Sequence, residues 1–276
     1  MDLGLKGKII VVTGGAKGIG AAIARHLAAE GACPVIVDRE EQASWELVEE
    51  LREAGVAAGA YIGELSEPTN CREAVYYTSR EYGRIDGLVN NAGINDGIGL
   101  EYGSPEEFMT SIRNNLLHYY CMAHYALPAL RETQGSIVNI SSKCAITGQG
   151  HTSAYAAAKG GQLALTREWA VELLKYGIRV NAIIPAEVST PMYEAWINTF
   201  EHPEEKLHRI NAKIPLGNRM TTAEEIANMV LFLLSERASH ITGQHMYIDG
   251  GYVHLDRAID AIANSINGTY GSLRLK

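Results

Sequence analysis

One pattern constrains this chain more than any other. Short, unbroken apolar runs alternate with stretches of helical spacing. Residues 8–13 (KIIVVT), 34–38 (PVIVD), 56–62, 85–90 (IDGLVN), 135–140 (GSIVNI), 178–184 (IRVNAII) and 245–248 read as strands. Helices are expected over 19–30, where Ile23 and Leu27 share a face, over 43–54, and from about 67 to 82. Strands that are apolar at every residue are buried on both faces. That implies a parallel sheet with helices on each side. No internal repeat, low-complexity segment or Pro/Gly/Ser linker interrupts the pattern. A single α/β domain over 1–255 is therefore expected, followed by a C-terminal tail at 256–276.

Composition narrows the partners. With 46% hydrophobic and 20% charged residues, the 276-residue chain has ample apolar side chains for a core. Lys and Arg number 24 against 32 Asp and Glu, a net charge of −8. Such a surface repels phosphate backbones, so no nucleic-acid partner is expected. The longest apolar run, 229–234, is too short to span a bilayer, and the opening MDLGLKGK lacks the apolar core of a signal peptide. Cys33, Cys71, Cys121 and Cys144 are scattered without a CxxC pair. They read as reduced thiols of a cytoplasmic protein, with neither a disulfide framework nor a metal site.

The sequence TGGAKGIG at 13–20 lies between the first strand and the first helix. Glycines there allow the backbone to approach a pyrophosphate, and the helix N-terminus offers N–H groups and the positive end of its dipole. Asp38 ends the second strand, eighteen residues after Gly20. A carboxylate at that place accepts hydrogen bonds from the adenosine ribose and repels a 2′-phosphate, which favours NAD over NADP. Arg39 pulls the other way, because a guanidinium can accommodate that phosphate.

Hydride transfer also needs a partner for the hydroxyl proton. The nine histidines form no ligand-spaced cluster for zinc. Tyr155 and Lys159 are four apart on an expected helix and share a face. An ammonium beside a phenol would lower the phenol pKa from roughly 10 toward usable values. Ser142 lies just beyond the strand ending at Ile140 and could hold a substrate oxygen beside the phenol. The alternative for each residue is an ordinary helix surface or loop position.

Taken together, TGGAKGIG, NNAG at 90–93, Asn115, Ser142 and the segment Tyr155 to Lys159 resemble the short-chain dehydrogenase/reductase family in order and spacing. The resemblance implies a single-domain Rossmann fold, a doubly wound seven-stranded parallel sheet, a nicotinamide cofactor and a homotetramer. It makes Tyr155 the acid/base and gives Lys159 the nicotinamide ribose. Ser142 orients the substrate oxygen, and Asn115 supports a water that continues the proton path. It assigns Gly14, Lys17, Gly18, Ile19 and Gly20 to the cofactor turn, and Asp38 and Arg39 to the ribose. Glu64 and Leu65 come near adenine. Asn91, Ala92 and Gly93 line the adenosine side of the cleft, and Pro185, Val188 and Thr190 approach the nicotinamide. Two departures stand out. Glu64 replaces a usual Asp, and Ala186 replaces a usual Gly, so the loop after Pro185 should keep an ordinary conformation.

The segments 141–155, 165–196 and 248–259 further resemble the L-fucose dehydrogenase branch of that family. This implies oxidation of the anomeric C1 hydroxyl of an aldose to a lactone. A sugar presents many hydroxyls, and its pocket needs several polar groups. Asn95, Lys143, Gln149, His151 and Glu187 flank the expected centre, with about half of them expected to touch a sugar. Glu187 is the strongest candidate, since a carboxylate accepts from paired hydroxyls. Met192 and Trp196 lie on an expected lid at about 190–213, where either a ring-covering or a packing role fits. A hydroxysteroid dehydrogenase, a ketoreductase and a non-catalytic nucleotide sensor are the competing readings.

Overall fold

A computed structural model describes residues 2–255; the expected tail at 256–276 lies outside the described residues. Seven parallel strands form one sheet: β1 (Ile9–Thr13), β2 (Cys33–Asp38), β3 (Gly59–Ile62), β4 (Gly87–Asn90), β5 (Ser136–Ile140), β6 (Arg179–Pro185) and, after two short strands described below, β9 (His245–Ile248). Their order is β3-β2-β1-β4-β5-β6-β9. This is the doubly wound Rossmann arrangement expected from the sequence. Strand β3 starts three residues later than expected.

Unbroken burial explains the composition of the strands. In β1, Ile10 and Val12 face one layer and Val11 faces the other. Helices α1 (Gly18–Ala29) and α9 (Ala223–Leu234) cover the first face, with Ile23, Leu27, Ile226 and Val230 packed on the sheet. Helix α2 (Glu41–Glu53) extends that layer through Leu47, Val48 and Leu51. The opposite face carries α3 (Pro68–Tyr82), α5 (His118–Thr133) and α6 (Ser153–Glu172). Helix α4 (Pro105–Ile112) begins with a Ser104–Glu107 capping box and runs through a widened π turn, Arg113–Leu117, into α5.

The chain leaves the sheet after β6 and returns to α9. Two short parallel strands, β7 (Val188–Ser189) and β8 (Thr221–Thr222), close the base of this excursion, which carries α7 (Pro191–Ile197) and α8 (Pro203–Asn211). Thr221 N adds a bond to Glu187 O (3.0 Å). Ala186 lies outside the left-handed residues, as its identity requires. No described helix is long and apolar enough to cross a membrane.

Strand β1 to strand β4 is the place where the chain reverses its direction of travel across the sheet. A crevice opens there at the carboxyl ends of the strands. At the opposite end, buried Asp86 fixes the pair. Its carboxylate accepts from Ile9 N (2.9 Å) and Arg84, and lies 3.4 Å from Lys8 Nζ. Asp86→Ala strips these donors of their partner. We expect a loss of about 1–3 kcal/mol in urea unfolding, with dinucleotide binding retained, because the lesion sits at the far end of the sheet.

Candidate active site

The glycine turn is a backbone cradle. Gly14 and Gly18 adopt left-handed φ values of +61° and +55°. A Cβ on Gly14 would fall 2.8 Å from Ala92 Cα, and one on Gly20 would fall 2.1 Å from Gly14 O. Gly20 is therefore obligatory for α1 to lie this close to the turn. Lys17 stands at the N-cap of α1 and has no acceptor to offer, so the first-turn N–H groups of α1 remain available to an anion. Ile19 packs against the core beneath.

Asn91 bolts this turn to β4. Its Nδ2 donates to Thr13 O (3.0 Å) and Gly14 O (2.9 Å). The N–H groups of Asn91 and Ala92 both donate to Thr13 Oγ1. At the adenosine end, Asp38 accepts from Ala16 N and Glu40 N, each at 3.0 Å. Arg39 Nη1 donates to Glu64 Oε2 (3.1 Å), and Leu65 is buried in the core beside α3. Thr190 caps α7, accepting from Tyr193 N (3.2 Å), and its Cβ comes within 3.5 Å of a Cβ built on Gly18. Pro185 and Val188 are buried at the root of the same excursion. The cradle, the uncapped helix start and Asp38 fit a nicotinamide dinucleotide.

The second half of the site hangs from β5. Ser141 Oγ donates to Lys159 O (2.9 Å), tying the strand end to α6. Ser142 accepts from Cys144 N (3.2 Å) and hydrogen-bonds the Tyr155 phenol. Lys159 is buried, and its Nζ donates to Ile140 O (2.9 Å) and to Tyr119 Oη (3.5 Å). Gly93 passes directly over it, since a Cβ there would lie 3.5 Å from Nζ and 3.0 Å from Asn115 Oδ1. Asn115, in the π turn, accepts from Ile94 N (2.8 Å) and donates to Ser111 O (3.1 Å). The structure thus brings Asn115, Ser142, Tyr155 and Lys159 together around the end of β5.

The electrostatics depart from one sequence expectation. Lys159 Nζ sits 5.5 Å from the Tyr155 ring centre and points at β5. On balance the phenol is not depressed. Burial raises Tyr155 above its ordinary value; the neighbouring Cys144 adds to this, and the Ser142 bond opposes it. Burial also lowers Lys159 to about 7. His118, buried beside Tyr119, falls to about 4 through burial and then through the nearby Lys159.

Beside Ser142 lies a polar cluster. Lys143 is buried and pairs with Glu187 while standing 4.3 Å from the Tyr252 ring centre. Burial opposes its charge, but Glu187 outweighs this and holds the ammonium above its ordinary value. Tyr193 is raised by burial and then by Glu187, which it hydrogen-bonds. Glu187, the strongest sequence candidate for accepting from sugar hydroxyls, is thus already charge-paired. Gln149 is exposed and accepts from Cys144 Sγ (3.1 Å). His151 is exposed with a left-handed φ of +54°, and Asn95 is exposed on the loop after β4. Trp196 stacks edge-on between Tyr193 and Phe200 within the excursion, and Met192 is exposed.

Sequence reading missed Tyr119, Tyr193, Tyr252 and Gln162. Gln162 is buried, and its Nε2 donates to Asn115 O (2.6 Å). Its place seven residues after Tyr155, on the same helix face, was the available signal.

A family model described as enoyl-(acyl carrier protein) reductase matches residues 14–253. The chain belongs to the short-chain dehydrogenase/reductase family. It is 36% identical over 250 residues to 3-oxoacyl-[acyl-carrier-protein] reductase FabG of Thermotoga maritima, covering 90% of this chain and 99% of that protein. L-fucose dehydrogenase of Mus musculus is 35% identical over 247 residues, covering 89% and 88%. The crystal structure of Cj0485 dehydrogenase superposes with a TM-score of 0.89 at 48% identity, covering 94% of this chain and 98% of that one. Two of the similar solved structures, an actinorhodin polyketide ketoreductase and the L-sorbose reductase of Gluconobacter frateurii, hold NADPH.

The depressed Lys159 makes stability depend on pH. Below about 7 the amine is charged in both folded and unfolded chains. Between about 7 and its ordinary 10.5 only the unfolded chain keeps the proton, so folding gains as pH rises. The raised Tyr155 turns against folding only above its ordinary 10. Urea unfolding from pH 7 to 9.5 should show wild type gaining stability relative to Lys159→Met; parallel curves would contradict the assignment.

Proposed function

We propose that this enzyme oxidises the C1 hydroxyl of an aldose resembling L-fucose to the lactone, with NAD as acceptor. The observation that carries the reading is the Lys143–Glu187–Tyr193 cluster adjoining Ser142. A pre-paired carboxylate and ammonium together accept from and donate to neighbouring hydroxyls, which suits a polyol better than an alkyl or steroid surface. Similarity to L-fucose dehydrogenases supports it. A cytoplasmic homotetramer belongs to the same reading.

Ser142 would hold the C1 oxygen beside the phenol, and Tyr155, as phenolate, would take the hydroxyl proton as the C–H bond breaks. When bound, the oxidised nicotinamide supplies the hydride acceptor and a positive charge. That charge and the Ser142 bond oppose the burial that raises Tyr155. Lys159, fixed by Ile140 O, would hold the nicotinamide ribose. The α1 N-terminus would hold the pyrophosphate, and Asp38 the adenosine ribose. Trp196 and Met192 would cover the sugar as the excursion closes over it.

Tyr155→Phe should retain dinucleotide binding by calorimetry and lose turnover by about a hundredfold or more. Near-normal turnover would remove Tyr155 from its role. The substrate class is tested by a panel of aldoses, hydroxysteroids and secondary alcohols with NAD and NADP, together with 3-oxoacyl thioesters and NADPH. Reduced-cofactor absorbance is the readout. We expect the largest kcat/KM with an aldose and NAD. The competing reading is a ketoreductase, favoured by the similarity to FabG. Preferential reduction of the thioester would establish that reading instead.

A further inference from the structure

Two cations stand at the adenosine end of the crevice, Lys17 in the glycine turn and Arg39 directly after Asp38. Left free, a guanidinium beside this ribose accommodates a 2′-phosphate. Neither cation is free. Arg39 Nη1 donates to Glu64 Oε2 at 3.1 Å, reaching from the end of β2 to the loop after β3. Lys17 Nζ lies 3.2 Å from Glu40 Oε2.

Glu64 is itself held in place. Its second oxygen, Oε1, accepts from Ser66 N (3.3 Å), and its backbone carbonyl accepts from Asn70 Nδ2 (2.9 Å) at the start of α3. The carboxylate is thus anchored on its own loop and presents the other oxygen to Arg39. A shorter Asp there would have one methylene less reach toward that guanidinium. Within this group, two cations face the three carboxylates Asp38, Glu40 and Glu64, leaving one net negative charge where a 2′-phosphate would bring about two more.

We propose that Glu64 is a specificity-determining residue: by pairing with Arg39 it withdraws that guanidinium from a 2′-phosphate, and so discriminates against NADP alongside Asp38. The inference rests on the dinucleotide reading of the site. It gives Glu64 a role in selecting between cofactors, distinct from a contact with adenine, which both cofactors share.

Calorimetric titration with NAD and with NADP, in the absence of any second substrate, tests it. The quantity read is the ratio of Kd for NADP to Kd for NAD in wild type, Glu64→Gln, Arg39→Ala and the double variant. Glu64→Gln should lower the ratio about fivefold, the size expected for releasing an exposed ion pair. In the Arg39→Ala background the same change should leave the ratio nearly flat. An unchanged ratio in Glu64→Gln would overturn the proposal, and is what a pure adenine contact gives. An equal drop with and without Arg39 would also overturn it, since Glu64 would then act by direct repulsion. If wild type binds neither nucleotide, the dinucleotide reading itself fails, and the proposal with it.

Discussion

Thr13 and Asn91 hold together the two strands between which the sheet changes direction. Five hydrogen bonds join them and their neighbours: two from the Asn91 amide to Thr13 O and Gly14 O, two from backbone N–H groups to the Thr13 hydroxyl, and one from that hydroxyl to Val89 O. Parallel strands diverge by their twist, and a crevice at this point would otherwise be as wide as the helices above it allow. The bolt sets the separation between the glycine turn and the loop carrying Gly93. Gly93 in turn lies against Asn115 and Lys159, so the cofactor half and the proton-transfer half of the site share one fixed reference.

Much of this was legible in the residues. Runs such as IIVVT and IRVNAII admit few environments other than a strand buried on both faces, and the glycine turn could sit only at the first strand's end. The four-residue spacing of Tyr155 and Lys159 fixed a shared face. Spacing does not fix the end point of a four-carbon side chain, however. Lys159 turns to Ile140 O, a partner 19 residues away that no local pattern signals. Glu187 illustrates the same limit. Its chemistry as an acceptor was readable, but its prior claim by Lys143, 44 residues earlier, was not. Glu64 and Arg39 meet only because β2 and β3 are neighbours in the sheet.

Burial is the common cause behind the site's acid–base character. It pushes the Tyr155 phenol up and the Lys159 amine down, which disfavours the charged form of both. Beside Ser142, Glu187 holds the buried Lys143 ammonium above its ordinary value. Around the reacting hydroxyl, burial thus works against charge, while ion pairs stand at Lys143–Glu187 and at the adenosine end. Incoming charge then has a large effect at the centre, where little else screens it.

The β7–β8 clasp has an evolutionary consequence. Two rungs hold the ends of a thirty-odd-residue detour at constant separation, with α9 beginning directly after the second. The detour is also tied down at Thr190, which sits against Gly18, and at buried Ile214 and Leu216 N, which meet Gly250 just past β9. Sequence change is therefore tolerated best in its exposed stretches, where a new side chain can alter what the crevice admits without disturbing the strands.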